Sequence, residues 1–163
     1  MREYYPVLFV INGNKHFCCW YGDAKDGFVV DNDKLVSFET LEELSEFASK
    51  KNLLLRVEDD ILVFSIDPII EWLGHEHKPI DCKAILDLWN IIGDISSSVE
   101  LNFHGNKRDA KFDKVYEKLF WGTNIPAVTP KGKSYIPEWQ PDEIEEMNKV
   151  IQDGIRIIKN VLK

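Results

Sequence analysis

The carboxy-terminal stretch constrains the fold most. Ile144, Met147, Ile151, Ile155, Ile158 and Leu162 recur at three- and four-residue spacing, behind Pro141 and the acids Asp142, Glu143, Glu145 and Glu146. Proline suits the first turn of a helix, carboxylates suit its positive end, and Lys159 and Lys163 suit its negative end. The spacing therefore predicts one long amphipathic helix with an apolar stripe that the rest of the chain must cover. Two shorter helical patterns precede it: Ile85, Leu88, Trp89, Ile92 and Ile95 behind the capping residue Asp81, and Phe112, Tyr116, Leu119 and Phe120.

The amino-terminal part has a different period. Tyr4–Ile11 and His16–Tyr21 are apolar and aromatic runs joined by Asn12-Gly13-Asn14, residues that accept the positive φ of a tight hairpin turn. Phe28–Val30 and Leu35–Phe38 follow between polar turns, predicting a four-strand antiparallel meander. Thr40-Leu41-Glu42-Glu43 is a capping box, and Leu41, Leu44, Phe47 and Ala48 carry a helix on to about Asn52. Leu53–Val57 and Ile61–Phe64 read as two more strands around the acidic turn Glu58-Asp59-Asp60, and Asp67-Pro68 opens a short helix ending near Gly74. The expectation is an α+β fold in one domain, residues 1–163. Residues 1–66 form an antiparallel sheet of about four to six strands with one helix, and residues 67–163 form packed helices.

At 163 residues the chain is long enough to bury a core without disulfides or a structural metal. Of its three cysteines, Cys18 and Cys19 are adjacent and poorly placed to pair, so reduced thiols in a reducing compartment are expected. No apolar run approaches the roughly 18–20 residues of a membrane span, and the first residues lack a signal pattern, which together predict a cytoplasmic protein. The net charge is −8, with residues 1–60 and 61–105 each at −5 and residues 106–163 at +2. Phosphate backbones would repel such a chain, so a basic protein partner is favoured over nucleic acid.

Enzyme signatures are weak. His75-Glu76-His77 with Asp81 and Cys82 offers metal-ligand residue types in a spacing that fits no closed zinc site, and a solvated turn is the simpler reading. Asp59 and Asp60, with Asp67 nearby, are adjacent carboxylates that would point to opposite sides of a strand. No nucleophile elbow, phosphate loop or dinucleotide fingerprint is present. The chain is therefore expected to be no enzyme, with neither catalytic residues nor cofactor. The alternative is a small metal-dependent or ligand-binding enzyme using His75, His77 and Asp81. Trp72, Trp89 and Trp121 are expected in the core, with Phe120 beside them. Trp20 and Tyr21 end a strand at an acidic turn, where an interface anchor could sit. The acids Asp23, Asp26, Asp31, Asp33, Glu58, Asp59 and Asp60 all fall at strand ends and could form a negative rim.

One stretch is more specific. Tyr116-Glu117-Lys118-Leu119-Phe120-Trp121-Gly122-Thr123-Asn124-Ile125-Pro126-Ala127-Val128-Thr129-Pro130, followed by Gly132-Lys133, Tyr135-Ile136-Pro137 and Trp139, resembles bacterial immunity proteins of polymorphic and contact-dependent growth inhibition toxin systems. The family's run looks like Tyr-Asp-Lys-Leu-Phe-Trp-Gly-Asn-Asn-Leu-Pro, and this chain departs from it at Glu117, Thr123 and Ile125. Leu86-Asp87-Leu88-Trp89-Asn90 with Asp94 extends the likeness, as do, more weakly, Phe38–Leu55 and Asp67–Trp72. The resemblance implies a cytoplasmic inhibitor, monomeric when free, that binds the toxin's carboxy-terminal nuclease domain one to one. By analogy that domain would be a ribonuclease of the EndoU type, with a DNase as the alternative. If one scaffold serves many toxins, the shared motif is structural and the contacts lie in the acidic turns. The expected toxin-binding set is then Trp20, Tyr21, Asp23, Asp26, Asp31, Asp33, Glu58, Asp59 and Asp60.

Overall fold

The computed structural model describes residues 2–58, 60–73, 75 and 79–162. Two long strands, β1 (Glu3–Ile11) and β2 (Asn14–Gly22), form a hairpin in unbroken antiparallel register from Glu3 opposite Gly22 to Ile11 opposite Asn14. Its two-residue turn is Asn12-Gly13, with φ of 52° and 74°, the left-handed pair that matches the twist of the flanking strands. On the far side of β2 lie β3 (Gly27–Phe28) and β6 (Ser37–Phe38). Between these, β4 (Val30–Asp31) and β5 (Lys34–Leu35) pair only with each other around Asn32-Asp33.

Helix α1 (Leu41–Lys50) starts where the capping box places it, with the Thr40 hydroxyl accepting from Glu43 N–H. It carries the chain across one sheet face to the outer side of β1, where β7 (Leu54–Leu55) and then β8 (Leu62–Ser65) both run parallel to that strand. The six-stranded sheet is therefore mixed rather than wholly antiparallel. The cause is the crossover: a helix between two strands returns the second in the same direction as the first. Since β7 and β8 run the same way, the connection between them is not a hairpin turn; Asp59 of the expected turn lies outside the described residues.

Helices α2 (Asp67–Leu73), α3 (Cys82–Ser98), α4 (Ala110–Gly122) and α5 (Pro141–Val161) cover the other face. Val7, Phe9, Ile11 and Cys18 project from β1 and β2 into the cluster made by Ile85, Ile92, Ile95, Leu119, Met147, Ile151 and Ile158. The strand alternation sends Cys19 to the opposite side, where Phe38 meets Phe47 of α1. Adjacent cysteines are thus buried on two faces of one sheet, and the three thiols are free. Two side chains brace the ends of this frame. The Asp67 carboxylate accepts from Asn12 and Gly13 N–H at 2.6 and 3.0 Å, fastening α2 to the hairpin turn, and Asp81 caps α3 through Ala84 N–H. Among the described residues no helix is long and apolar enough to cross a membrane.

Candidate functional site

The residues expected to bind a partner occupy separate places. Trp20 and Tyr21, neighbours on β2, project to opposite faces, and each already has company. Trp20 packs against the main core and its Nε1–H donates to Asp94 Oδ2 of α3 at 3.1 Å. Tyr21 lies edge-on to Tyr4, with the Arg2 guanidinium 4.1 Å above its ring. The Ala24 N–H, and after it Arg2, which pairs with Asp23 at 3.0 Å, hold the Asp23 carboxyl below its usual range. Asp31 borders the same shallow hollow as Arg2 and Tyr21, while Asp33, with φ of 60°, is a turn residue of the β4–β5 ladder.

Asp26, whose Oδ1 accepts from Asp23 N–H at 3.4 Å, also lines a groove of about 600 Å³ between α3, α4 and the link 105–108. Asp94 and Asp113 line it with Asp26, Trp89 and Tyr116 form its walls, and Lys25, Lys107 and Arg108 balance the charge. Burial and the nearby Asp26 push the Asp94 carboxyl up, against the hydrogen bond from Trp20. Glu58 and Asp60 are exposed on the connection between β7 and β8, and Asp59 lies outside the described residues. The described acids of the expected rim are thus spread over more than one surface rather than gathered into one patch. Of the residues with metal-ligand chemistry, His75 is exposed, Asp81 is the α3 cap and Cys82 is buried, with its thiol pushed up by burial. Glu76 and His77 lie outside the described residues, and among those described no group of three or more His, Cys, Asp or Glu is arranged to hold a metal ion.

Trp72 and Trp89 are buried as expected, but Trp121 is 42% exposed. The correction follows from helical spacing. Phe112, Val115 and Leu119 form the buried stripe of α4, and Trp121, two residues beyond Leu119, points away from it. Gly122 returns to the stripe, where a Cβ would stand 2.5 Å from Cys82 Sγ and 2.9 Å from Pro137. The loop beyond is tied down at several points. Asn124, at φ 53°, accepts from Tyr135 N–H through Oδ1 at 2.7 Å and donates through Nδ2 to Tyr135 O at 3.0 Å. Lys118 Nζ donates to Glu138 O, and Trp139 packs on the core. Around that clamp Trp121, Ile125, Val128, Tyr135 and Ile136 stay exposed, Ile136 at 82%.

Residue type alone argues for burying Trp121, whereas its offset from the stripe argues against it. The exposure of Ile125 and Tyr135 had no comparable signal, because it depends on a loop closed by Asn124.

A solved structure of the C-terminal domain of SatS, in complex with bromine, is similar to this chain with a TM-score of 0.50 and 14% identity, covering 98% of this chain and 92% of that one. The likeness is one of fold. No protein-family model and no curated protein matches the chain.

Proposed function

We propose that the chain is a non-enzymatic immunity protein. It binds the cytotoxic nuclease domain of a contact-dependent growth inhibition toxin, a ribonuclease of the EndoU type by analogy, and so protects the cytoplasm of the cell that makes it. The observation that carries this reading is the ordered apolar surface of the Tyr116–Trp139 segment, the stretch on which the family resemblance rests. Apolar residues held out to solvent by a clamped loop can be covered at little cost in chain ordering, which is what a tight inhibitor requires. Asp23, Asp26, Asp31, Asp33, Glu58 and Asp60 are all exposed, and with a net charge of −8 they would speed encounter with a basic nuclease. Trp20 and Tyr21 stiffen the sheet behind those acids through their own partners, and the anchoring role passes to Trp121 and its neighbours.

The test is co-expression with the effector domain encoded beside this gene. Cells carrying that domain alone should die and cells carrying both should grow, with a one-to-one complex recovered from them. Death in the presence of abundant soluble protein overturns the reading.

A further inference from the structure

β8 is an edge strand, and among the described residues it pairs with β1 alone. Natural sheets usually blunt such edges with very short strands, lysine, proline or a covering element. The opposite side of this sheet does so, since β3 and β6 are two residues long. The run Ile61–Ile66 contains neither charge nor proline, no strand among the described residues pairs with its outer side, and Leu62 and Val63 are 55% and 50% exposed. A hollow of about 340 Å³ runs beside the strand, lined by Val63, Ser65, Pro68 and Leu88 and by the Lys83–Asp87 ion pair, whose charges balance, with room for alternate side chains of an added strand. Asp81, at the start of α3, lines it too, and the next residue, Cys82, backs Gly122 at the base of the apolar loop. The bare edge and the loop therefore flank the same helix terminus.

Open main-chain groups select an extended peptide, and the charges beside them select its side chains. Glu58 and Asp60 are exposed on the segment leading into β8 and make that approach negative. A cationic strand would meet them favourably. We propose that β8 is a docking edge that takes an extended lysine- or arginine-bearing strand of the inhibited protein by main-chain pairing, while the apolar loop holds a neighbouring part of the same partner. The inference rests on the immunity reading for the identity of that partner; the recognition chemistry of the edge stands apart from it.

The edge can be tested without the toxin, using the whole protein and two acetylated, amidated heptapeptides, Lys-Val-Lys-Val-Lys-Val-Lys and Glu-Val-Glu-Val-Glu-Val-Glu. The cationic peptide should bind and slow amide exchange at Leu62–Ser65, the acidic one should not, and the double variant Glu58→Lys/Asp60→Lys should bind the cationic peptide at least tenfold more weakly. Val63→Lys, at an exposed position, should weaken binding while melting like the parent. Three results would each overturn the proposal: unchanged exchange at Leu62–Ser65 with the cationic peptide, equal binding of both peptides, or concentration-dependent protection of these amides by self-association. Failed rescue of toxin-expressing cells with intact peptide binding would instead sink the immunity reading and leave the edge in place.

Discussion

Lys118 Nζ donates to Glu143 Oε1 across 2.7 Å, joining the middle of α4 to the first turn of α5. Glu143 is 3% exposed, and the same oxygen accepts from Gln140 N–H at 3.0 Å, so one carboxylate closes the helix cap and the interhelical contact together. Burial alone would push its carboxyl up, but Lys118, the Gln140 amide and Lys114 outweigh that and hold it below the ordinary glutamate value of 4.5. Glu146 is treated alike by Lys149 and Lys111.

The first prediction concerns that pair. Removing Lys118 takes the strongest partner from a buried charge and leaves it Lys114 and the Gln140 amide, so Lys118→Ala should lose about 2 kcal/mol, which for a chain of this size is roughly 4–8 °C in melting temperature. A folded-state pKa below the unfolded one stabilises the fold above the unfolded value, and that contribution disappears as pH falls through the folded one. Thermal melts from pH 7 to pH 3 should therefore show the variant's deficit shrinking toward acid. A deficit independent of pH would mean that lost packing, not the ion pair, is responsible.

Trp121 and Trp89 should respond in opposite ways. Trp89 is buried and its Nε1–H donates to Gly105 O at 3.0 Å, so Trp89→Ala should cost about 3–5 kcal/mol. Trp121→Ala should leave stability within about 0.5 kcal/mol, as exposed substitutions do, and should speed dissociation of the partner complex. Comparable melting losses in the two variants would return Trp121 to the core.

The Trp20–Asp94 contact supports a prediction whose sign is the reverse of the Glu143 case. A carboxyl whose pKa is raised by burial favours the fold when protonated and costs stability once ionised, so the cost is present above the raised value and relieved as pH falls through it. Asp94→Asn keeps an oxygen for Trp20 and removes the charge. It should be at least as stable as the parent at pH 8, with the difference fading toward pH 4 in denaturant titrations.

How much of this was legible from the residues follows from range. Caps at Thr40, Asp81 and Pro141, the Asn12-Gly13 turn and the stripe of α5 are written within a few residues, and each stands where its local chemistry puts it. The parallel course of β7 and β8 was not legible, because pairings two and four residues long carry almost no period and their direction is set by where α1 crosses. Glu143 and Glu146 read as complements to a helix dipole because α4, which supplies Lys111, Lys114 and Lys118, lies in a separate segment. The acids of the expected rim that lie among the described residues, Asp23, Asp26, Asp31, Asp33, Glu58 and Asp60, are exposed, as acids at turns are. Their spread over more than one surface is hidden, since it depends on which face each turn overlooks.

The thiols give the last prediction. Burial pushes the Cys18 thiol far up and the Cys19 thiol up to about 12, and Cys82 is raised in the same direction. The thiolate is the reactive species, and near pH 8 almost none exists at these positions. Cys18 and Cys19 are buried on opposite faces of β2, and Cys82 is buried at the first turn of α3, so a reagent reaches none of the three directly. A disulfide-exchange reagent at pH 8 should therefore label none of the three within minutes in the native protein and all three in denaturant. Labelling should be limited by opening of the fold, so Trp89→Ala should accelerate it while Trp121→Ala should not. Fast labelling of one cysteine in the native parent would show that its segment opens on its own; at Cys82 this would point to release of the loop from Gly122 and would predict a less ordered apolar surface.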